Sequence, residues 1–438
     1  MAVIEGVSVV PMGRQVGPVL ATGIEEPAAG AVSETHTHHL VVRGWTVGKR
    51  QALEGVTAVA DGRRIGRTAV GLPTPELGGR FPKAGPWKAA AGFALTIDTL
   101  GLGPDLEIRL RATIGGDPVA RIGVIRGRRR PLAPPYEPVL RALLVTSIGR
   151  TGTTLLMRML AAHPAVVAYR RHPYEARAAK YWFHLLKSLA RPVDPTVRVG
   201  RPNEFHLDPT VAGNPLATAA FAAYPEAARW AGDGYLDDLA AFCLRSIDGW
   251  YGQVGLAQGQ PNPVYWAEKS FPDGYAALAR ELYPGGKEII LVRDFRDMWT
   301  SMRAYNERRG FGDFGRALVG TDEGWLEELR NGAIRLYETA QKRGEAARIV
   351  RYEDLVADPG ATLAGLLGYL ELDAAPAAVA AMVDAAGAEI PELRDHRTSA
   401  SVDASLGRWK RDLAPAEQAM VRIAFDDVLP TFGYDPNA

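Results

Sequence analysis

Between Ser147 and Thr154 the chain reads Ser-Ile-Gly-Arg-Thr-Gly-Thr-Thr. The stretch follows the apolar run Leu143–Thr146 and opens the apolar helical pattern "LLMRMLAAHP". A strand that passes through a glycine turn into a helix suits an anion. Amides of the first helical turn lack partners within the helix, and the helix dipole favours negative charge there. A nucleotide loop of the form G-x-x-x-x-G-K-[ST] fails: Gly149 and Gly152 stand too close, and no lysine follows Gly152. Arg150 is the cation of this loop instead. In "LVRDFRDMWTSM" Arg293 ends an apolar run, and this segment taken alone reads it as an ion-pair partner of Asp294 or Asp297.

Gly149-Arg150-Thr151-Gly152-Thr153-Thr154 resembles the 5'-phosphosulfate loop of the sulfotransferases, including their tyrosylprotein and bacterial small-molecule branches. The same family places an arginine at the end of a later strand and a serine eight positions on, both at the nucleotide 3'-phosphate; here these are Arg293 and Ser301. Three more stretches are similar in family order. "WAEKSFPDG" marks Lys269 near the transferred group, "VRYEDLVADP" marks Tyr352 along the nucleotide, and "SLGRWKRDL" supplies Gly407, Arg408 and Trp409 for a closing loop. The resemblance covers about residues 141–433. It implies 3'-phosphoadenosine 5'-phosphosulfate (PAPS) as donor, with 3',5'-bisphosphoadenosine (PAP) as product. It also implies in-line transfer of a sulfuryl group to a hydroxyl or amine without a metal. Arg150, Lys269 and the amides of Thr151, Gly152, Thr153 and Thr154 would stabilise charge on the departing phosphate.

The acceptor needs a base. The tyrosylprotein branch uses a glutamate soon after the first helix, and "VVAYRRHPYEARAAKYW" lies in that position. Glu175 is the first candidate, held ionised by Arg170, Arg171 and Arg177, and His172 is its rival. "DHRTSAS" adds His396 and Ser399 near the place of a catalytic-site serine in that branch. Two other readings stand beside the transferase: a nucleoside or sugar kinase on a similar sheet, and a non-catalytic carbohydrate-binding protein working through the N-terminal region. The missing loop lysine opposes the first, and the joint presence of Arg150, Lys269, Arg293 and Ser301 opposes the second.

These side chains need a scaffold of strands and helices. "LLVTSI", "EIILVRD" and "ARIVRYEDL" read as buried parallel strands, with helical patterns such as "PDGYAALARELY" and "GWLEELRNGAIRLYETAQKRG" between or after them. That alternation predicts a doubly wound parallel α/β sheet over residues 141–438. Residues 1–126 instead show short alternating segments and glycine turns, as in "HLVVRGWTV" and "GVTAVADGRRIGRTAVGL", and predict a smaller all-β sandwich domain. Residues 1–29 read as an edge strand or tail. Arg128, Arg129 and Arg130, followed by prolines, read as a solvated linker over 127–140. On that basis the β domain is dispensable for donor binding, and a chain starting near Leu132 should fold. The aromatic helical patterns between Trp182 and Tyr265 have no counterpart in the family and read either as core or as a lid over the acceptor. In "THTHHL", His36 and His38 read as a metal pair or, more plainly, His36, His38 and His39 as a polar strand edge.

The 438 residues carry a net charge of +1, which gives no general attraction to nucleic acid or an acidic membrane. Cys243 is the single cysteine, so no intrachain disulfide forms. No apolar run spans a bilayer and no secretory signal pattern stands at the N-terminus, which together predict a cytoplasmic protein. The partner expected is a small-molecule, carbohydrate or natural-product acceptor.

Overall fold

The computed structural model describes residues 2–12, 17–190, 223–310, 312, 314–316, 321–387, 398–399, 401 and 403–437. The chain forms two compact units: Met1–Glu137 with Trp182–Leu244, and Pro138–Tyr181 with Arg245–Ala438.

In the first unit, nine strands build two antiparallel sheets. They are β1 (Ile4–Pro11), β2 (Val19–Glu26), β3 (Ser33–Thr35), β4 (His39–Gly48), β5 (Gly55–Ala60), β6 (Arg63–Ala69), β7 (Gly92–Asp98), β8 (Asp105–Ile114) and β9 (Asp117–Arg129). The sheets run β3-β1-β9-β8-β5-β6 and β2-β4-β7. Alternate residues of both sheets, such as Val56 and Ile108 on one and Val42 and Leu95 on the other, enter one apolar core. Asp61 and Gly62 both take positive φ (48° and 68°) in the hairpin between β5 and β6. That is the turn whose twist matches paired antiparallel strands.

Three expectations change here. β1 is not an edge strand or tail, because it pairs with β3 on one side and β9 on the other. The region 127–140 does not begin as a linker: β9 carries through Arg129, whose buried guanidinium donates to the Leu102 carbonyl at 2.7 Å. His38 and His39 do not form a polar edge, for both are buried, and burial drives their pKa values down to about 3 and about 4. Among the described residues no group of three or more His, Cys, Asp or Glu could hold a metal.

Part of the stretch between Trp182 and Tyr265 belongs to this β unit. Asp98 at the end of β7 pairs with Lys187 at 2.6 Å, and Lys187 also donates to the Leu100 carbonyl at 2.9 Å. Arg130 reaches the Gly232 carbonyl at 2.5 Å and Asp237 at 3.5 Å. A cut at Leu132 therefore divides a unit, and a chain beginning there leaves these helical residues without their β partners.

In the second unit, five parallel strands follow the order β11-β12-β10-β13-β14. They are β10 (Arg141–Thr146), β11 (Val166–Val167), β12 (Tyr265–Ser270), β13 (Lys287–Val292) and β14 (Ala347–Arg351). The helices used below are α1 (Thr153–Ala162), α2 (Ala178–Ala190), α3 (Leu236–Ala257), α4 (Gly274–Leu282) and α5 (Phe295–Arg309). Each face of the sheet has its own core: Leu143, Val145, Ile289 and Leu291 face one, and Ile290 and Val292 the other. The order reverses at β10, whose neighbours β12 and β13 lie on opposite sides, so the loop after β10 opens at the switch point where ligands bind in such sheets. No described helix is long and apolar enough to cross a membrane.

The Asp98–Lys187 pair keeps little solvent, with 12% and 15% exposed. Asp98→Ala is expected to cost about 2 kcal/mol, below the ~3–5 of a fully buried pair, measured as urea unfolding. A change under about 0.5 kcal/mol would show the pair to be screened like a surface contact.

Candidate active site

β10 ends at Thr146 and α1 begins at Thr153, with Gly152 as its N-cap at φ +89°. Only glycine fits there: a Cβ would lie 2.5 Å from the Tyr352 ring, and the backbone is left-handed. Gly149, at φ +59°, is as confined, since a Cβ would meet the sulfurs of Met298 and Met302 at 2.8 Å. The register then brings in the neighbours. Thr146 stands opposite Ser270 on β12 and Ile290 on β13, so Lys269 and Arg293 emerge on either side of the loop.

Arg150 Nε donates to Ser301 Oγ at 3.2 Å, and its guanidinium lies 4.2 Å from the centre of the Tyr305 ring. Burial lowers its pKa to about 10; the nearby charges of Arg293 and Arg408 act in the same sense and Tyr305 opposes them. Arg293 donates to the Ser405 carbonyl at 2.5 Å and the Arg150 carbonyl at 3.5 Å, and stacks 5.0 Å over Tyr352. Its Nε and the hydroxyl of Thr151 are buried with no partner among the described residues. Ser301 Oγ lies 3.0 Å from Thr398 Oγ1, which accepts from Arg408 at 2.9 Å. The Tyr352 hydroxyl is 3.2 Å from Ser405 Oγ. Arg150, Arg293, Ser301, Tyr352 and Arg408, picked out from distant stretches of sequence, thus form one connected cluster.

Asp297 ties the closing stretch to this cluster. Its carboxylate accepts from the amides of Gly407 (2.7 Å) and Trp409 (2.9 Å). Trp409 buries its ring in the core with Phe295 and Trp299, and the Arg296 guanidinium stands 4.5 Å above it.

On the opposite side of the loop, Lys269 is buried and has three partners: Thr154 Oγ1 at 2.7 Å, the Pro173 carbonyl at 2.7 Å and Glu175 Oε1 at 2.9 Å. Burial lowers its pKa, and Glu175 opposes that. The cation beside Glu175 is therefore Lys269. Arg177 is 4.0 Å away, and Arg170 donates instead to the Ala161 carbonyl at 2.6 Å. The Glu175 side chain is 44% exposed. His172 is half-buried three residues before it. Ser399 donates to the Ser401 carbonyl at 2.9 Å, and no described contact joins it to Lys269. His396 lies outside the described residues.

Sequence reasoning missed Tyr305, Thr398, Ser405 and Asp297. Tyr305 had a signal, standing one turn after Ser301 on the same helix face. The Ser405 carbonyl had none, because a backbone acceptor carries no side-chain identity.

A family model described as the sulfotransferase family matches residues 142–376. The chain belongs to the sulfotransferase family. This sulfotransferase is similar in structure to the sulfotransferase domain of the Synechococcus olefin synthase (19% identity, TM-score 0.41), covering 70% of this chain and 99% of that one. It is similar also to STF9 of Mycobacterium avium (15% identity, TM-score 0.34), covering 68% of this chain and 78% of that one. A third likeness is to mouse SULT7A1, solved with PAP (11% identity, TM-score 0.36), covering 67% and 86%. No curated protein matched.

Burial pushes the Asp297 carboxyl up to about 6, against the Trp409 and Gly407 amides and the Arg293 charge. The unfolded carboxyl titrates near ~3.9. A raised folded pKa contributes stability below that value, and the contribution is lost as pH rises through about 6. Urea unfolding between these limits is therefore expected to show the wild type losing stability relative to Asp297→Asn as pH rises. A difference that is flat with pH would place the Asp297 proton elsewhere.

Proposed function

We propose that this sulfotransferase transfers the sulfuryl group of PAPS to a hydroxyl or amine of a small-molecule, carbohydrate or natural-product acceptor. The carrying observation is the cation cluster: Arg150, Arg293 and Arg408 are gathered around a glycine turn, with the Arg293 Nε and the Thr151 hydroxyl buried and without a partner among the described residues. Buried donors of this kind are costly unless a ligand completes them. Two separated phosphate groups suit the two ends of the cluster. Arg293 and Ser301 hold the 3'-phosphate, with Arg408 beside them and the closing stretch Gly407–Trp409 held by Asp297. Thr151, Gly152, Thr153, Thr154 and Arg150 hold the 5'-phosphosulfate, and Tyr352 lies against the Gly152 turn between the two.

The chemistry follows from Lys269. Its ammonium stands at Thr154 on the donor side and at Glu175 on the acceptor side. In line, the acceptor oxygen or nitrogen bonds to sulfur as the bond from sulfur to the bridging phosphate oxygen breaks. The acceptor proton passes to Glu175, while Lys269 and Arg150 stabilise charge on the departing phosphate. Exposure of the Glu175 carboxylate leaves it open to an incoming acceptor. His172 is the second candidate for the base, three residues away on the same connection.

Titration calorimetry with PAP tests the donor. Binding is expected without magnesium, whereas a kinase would bind ATP and require the ion. Arg293→Ala is expected to lose about 1.5–3 kcal/mol of PAP affinity. Ser301→Ala should lose affinity in the same sense, and neither variant should weaken adenosine 5'-phosphosulfate comparably, since it has no 3'-phosphate. Equal losses for both ligands would remove the 3'-phosphate assignment.

With an acceptor that supports PAP release, Glu175→Gln is expected to reduce turnover by roughly 10²–10⁴ while PAP affinity holds. His172→Ala should be mild. The opposite pattern would make His172 the base.

A further inference from the structure

Glu268 directly precedes Lys269 on β12, and successive strand residues point to opposite faces. Lys269 therefore faces the anion loop and Glu175, while Glu268 faces the other way. Its surroundings are unusual for a carboxylate. The side chain is buried, with 4% of the residue exposed, and Oε1 accepts from the Tyr251 hydroxyl at 2.5 Å and the Ala179 amide at 2.7 Å. Burial pushes its carboxyl up to about 7, and the Tyr251 hydroxyl, the Ala179 and Lys180 amides and the Arg177 charge oppose that rise. Ala179 and Lys180 are the second and third residues of α2, whose first-turn amides have no partner within the helix. A buried carboxylate at that place meets both the free amides and the positive end of the helix dipole.

The connection before α2 carries the Pro173 carbonyl and Glu175, both bonded to Lys269. β12 therefore grips one short stretch of chain twice, through Lys269 at residues 173 and 175 and through Glu268 at 179 and 180. We propose that Glu268 is a positioning residue of the sulfuryl-transfer site, anchoring the start of α2 so that the Glu175 carboxylate stays at Lys269. It touches neither donor nor acceptor. Tyr251 of α3 holds the carboxylate from behind, and its ring stacks on Trp266 at 5.6 Å.

In "WAEKSFPDG" the family resemblance marks only the lysine. A glutamate in a strand whose other members are nearly all buried has to be satisfied inside the protein. Its partners are the amides that open α2, 89 positions earlier in the chain. This inference rests on the reading of Glu175 as an acceptor-side group, but its test does not depend on Glu175 being the base.

The experiment follows Lys269 in the full chain by NMR of carbon-13-labelled lysine side chains, assigned with Lys269→Arg. Glu175→Gln removes the carboxylate directly and is expected to lower the Lys269 titration midpoint by about one unit, a tenfold change in its proton affinity. Glu268→Ala is expected to produce a fall in the same direction, because Glu175 is no longer held, while PAP affinity by calorimetry stays within about twofold. Hydrogen exchange should rise over residues 170–181 and remain unchanged over the anion loop. If the alanine variant does not fold, Glu268→Leu is read in its place. Its apolar side chain fills the space but accepts nothing from Ala179, so the same fall is expected. A wild-type Lys269 midpoint in the Glu268 variants, with a lowered one in Glu175→Gln, overturns the positioning role. An unchanged midpoint in both overturns it as well, by showing that the Lys269–Glu175 pair does not govern the lysine. Failure of Glu175 as base would show separately, as undiminished turnover in Glu175→Gln alongside a lowered midpoint.

Discussion

Arg150, Arg293 and Arg408 stand near enough that the charges of the last two reinforce burial in drawing the first to a pKa of about 10. Like charges kept together away from water repel one another strongly and need compensation fixed by the fold. Each arginine receives it from a different place. The Tyr305 face serves Arg150, the Ser405 carbonyl and the Tyr352 face serve Arg293, and Asp412 serves Arg408 at 2.8 Å. The loop, α5, the segment after β14 and the C-terminal stretch are therefore all positioned against one cluster of positive charge. An anion that completed the cluster would relieve the repulsion and stabilise all four segments together.

Beneath this cluster a buried ionic network secures the two central strands. Glu288 on β13 is fully buried and accepts from Thr146 Oγ1 on β10 at 2.5 Å and from Arg280 of α4 at 2.8 Å twice. Arg343 approaches it at 3.7 Å. Thr146 is the last residue of β10, so the network locks the strand where the anion loop departs. Such a network adds little net stability over apolar packing, but removing one partner leaves an uncompensated charge. Its effect here is on register. A slip of one residue between β10 and β13 would break the Thr146 bond and carry Arg293 away from Arg150.

Much of this arrangement was legible in the chain because the sulfotransferase motifs are local. The loop needs glycine at two places and a basic residue between them, and strand runs of continuous apolar residues identify the parallel sheet. Hairpin residues such as Asp61-Gly62 likewise exposed the antiparallel region. What the sequence concealed was long-range pairing. The Arg128–Arg130 run looks solvated, yet Arg129 is buried by the Leu102 carbonyl, a partner that no local pattern advertises. Glu175 looked as if arginines of its own segment held it, whereas the close cation is Lys269, from a strand 94 positions on. His38 and His39 read as polar side chains because their burial depends on what packs against them, not on neighbours in the chain.

The division of the chain into interleaved units has a consequence for its synthesis. β10 and α1 leave the ribosome early, but β12 and β13, the strands that flank β10, emerge only after Leu244. Until then the central strand of the parallel sheet has no neighbour on either side, and its backbone amides and carbonyls are unpaired. The β unit is also incomplete until Leu244, because Trp182–Leu244 belongs to it. Chains generally fold domain by domain as they emerge, N-terminal parts first. Here the first unit must close around a stretch that interrupts the second. The anion loop spends that interval as an unsupported strand and turn, its arginine without Ser301 and Tyr305 until α5 has been made.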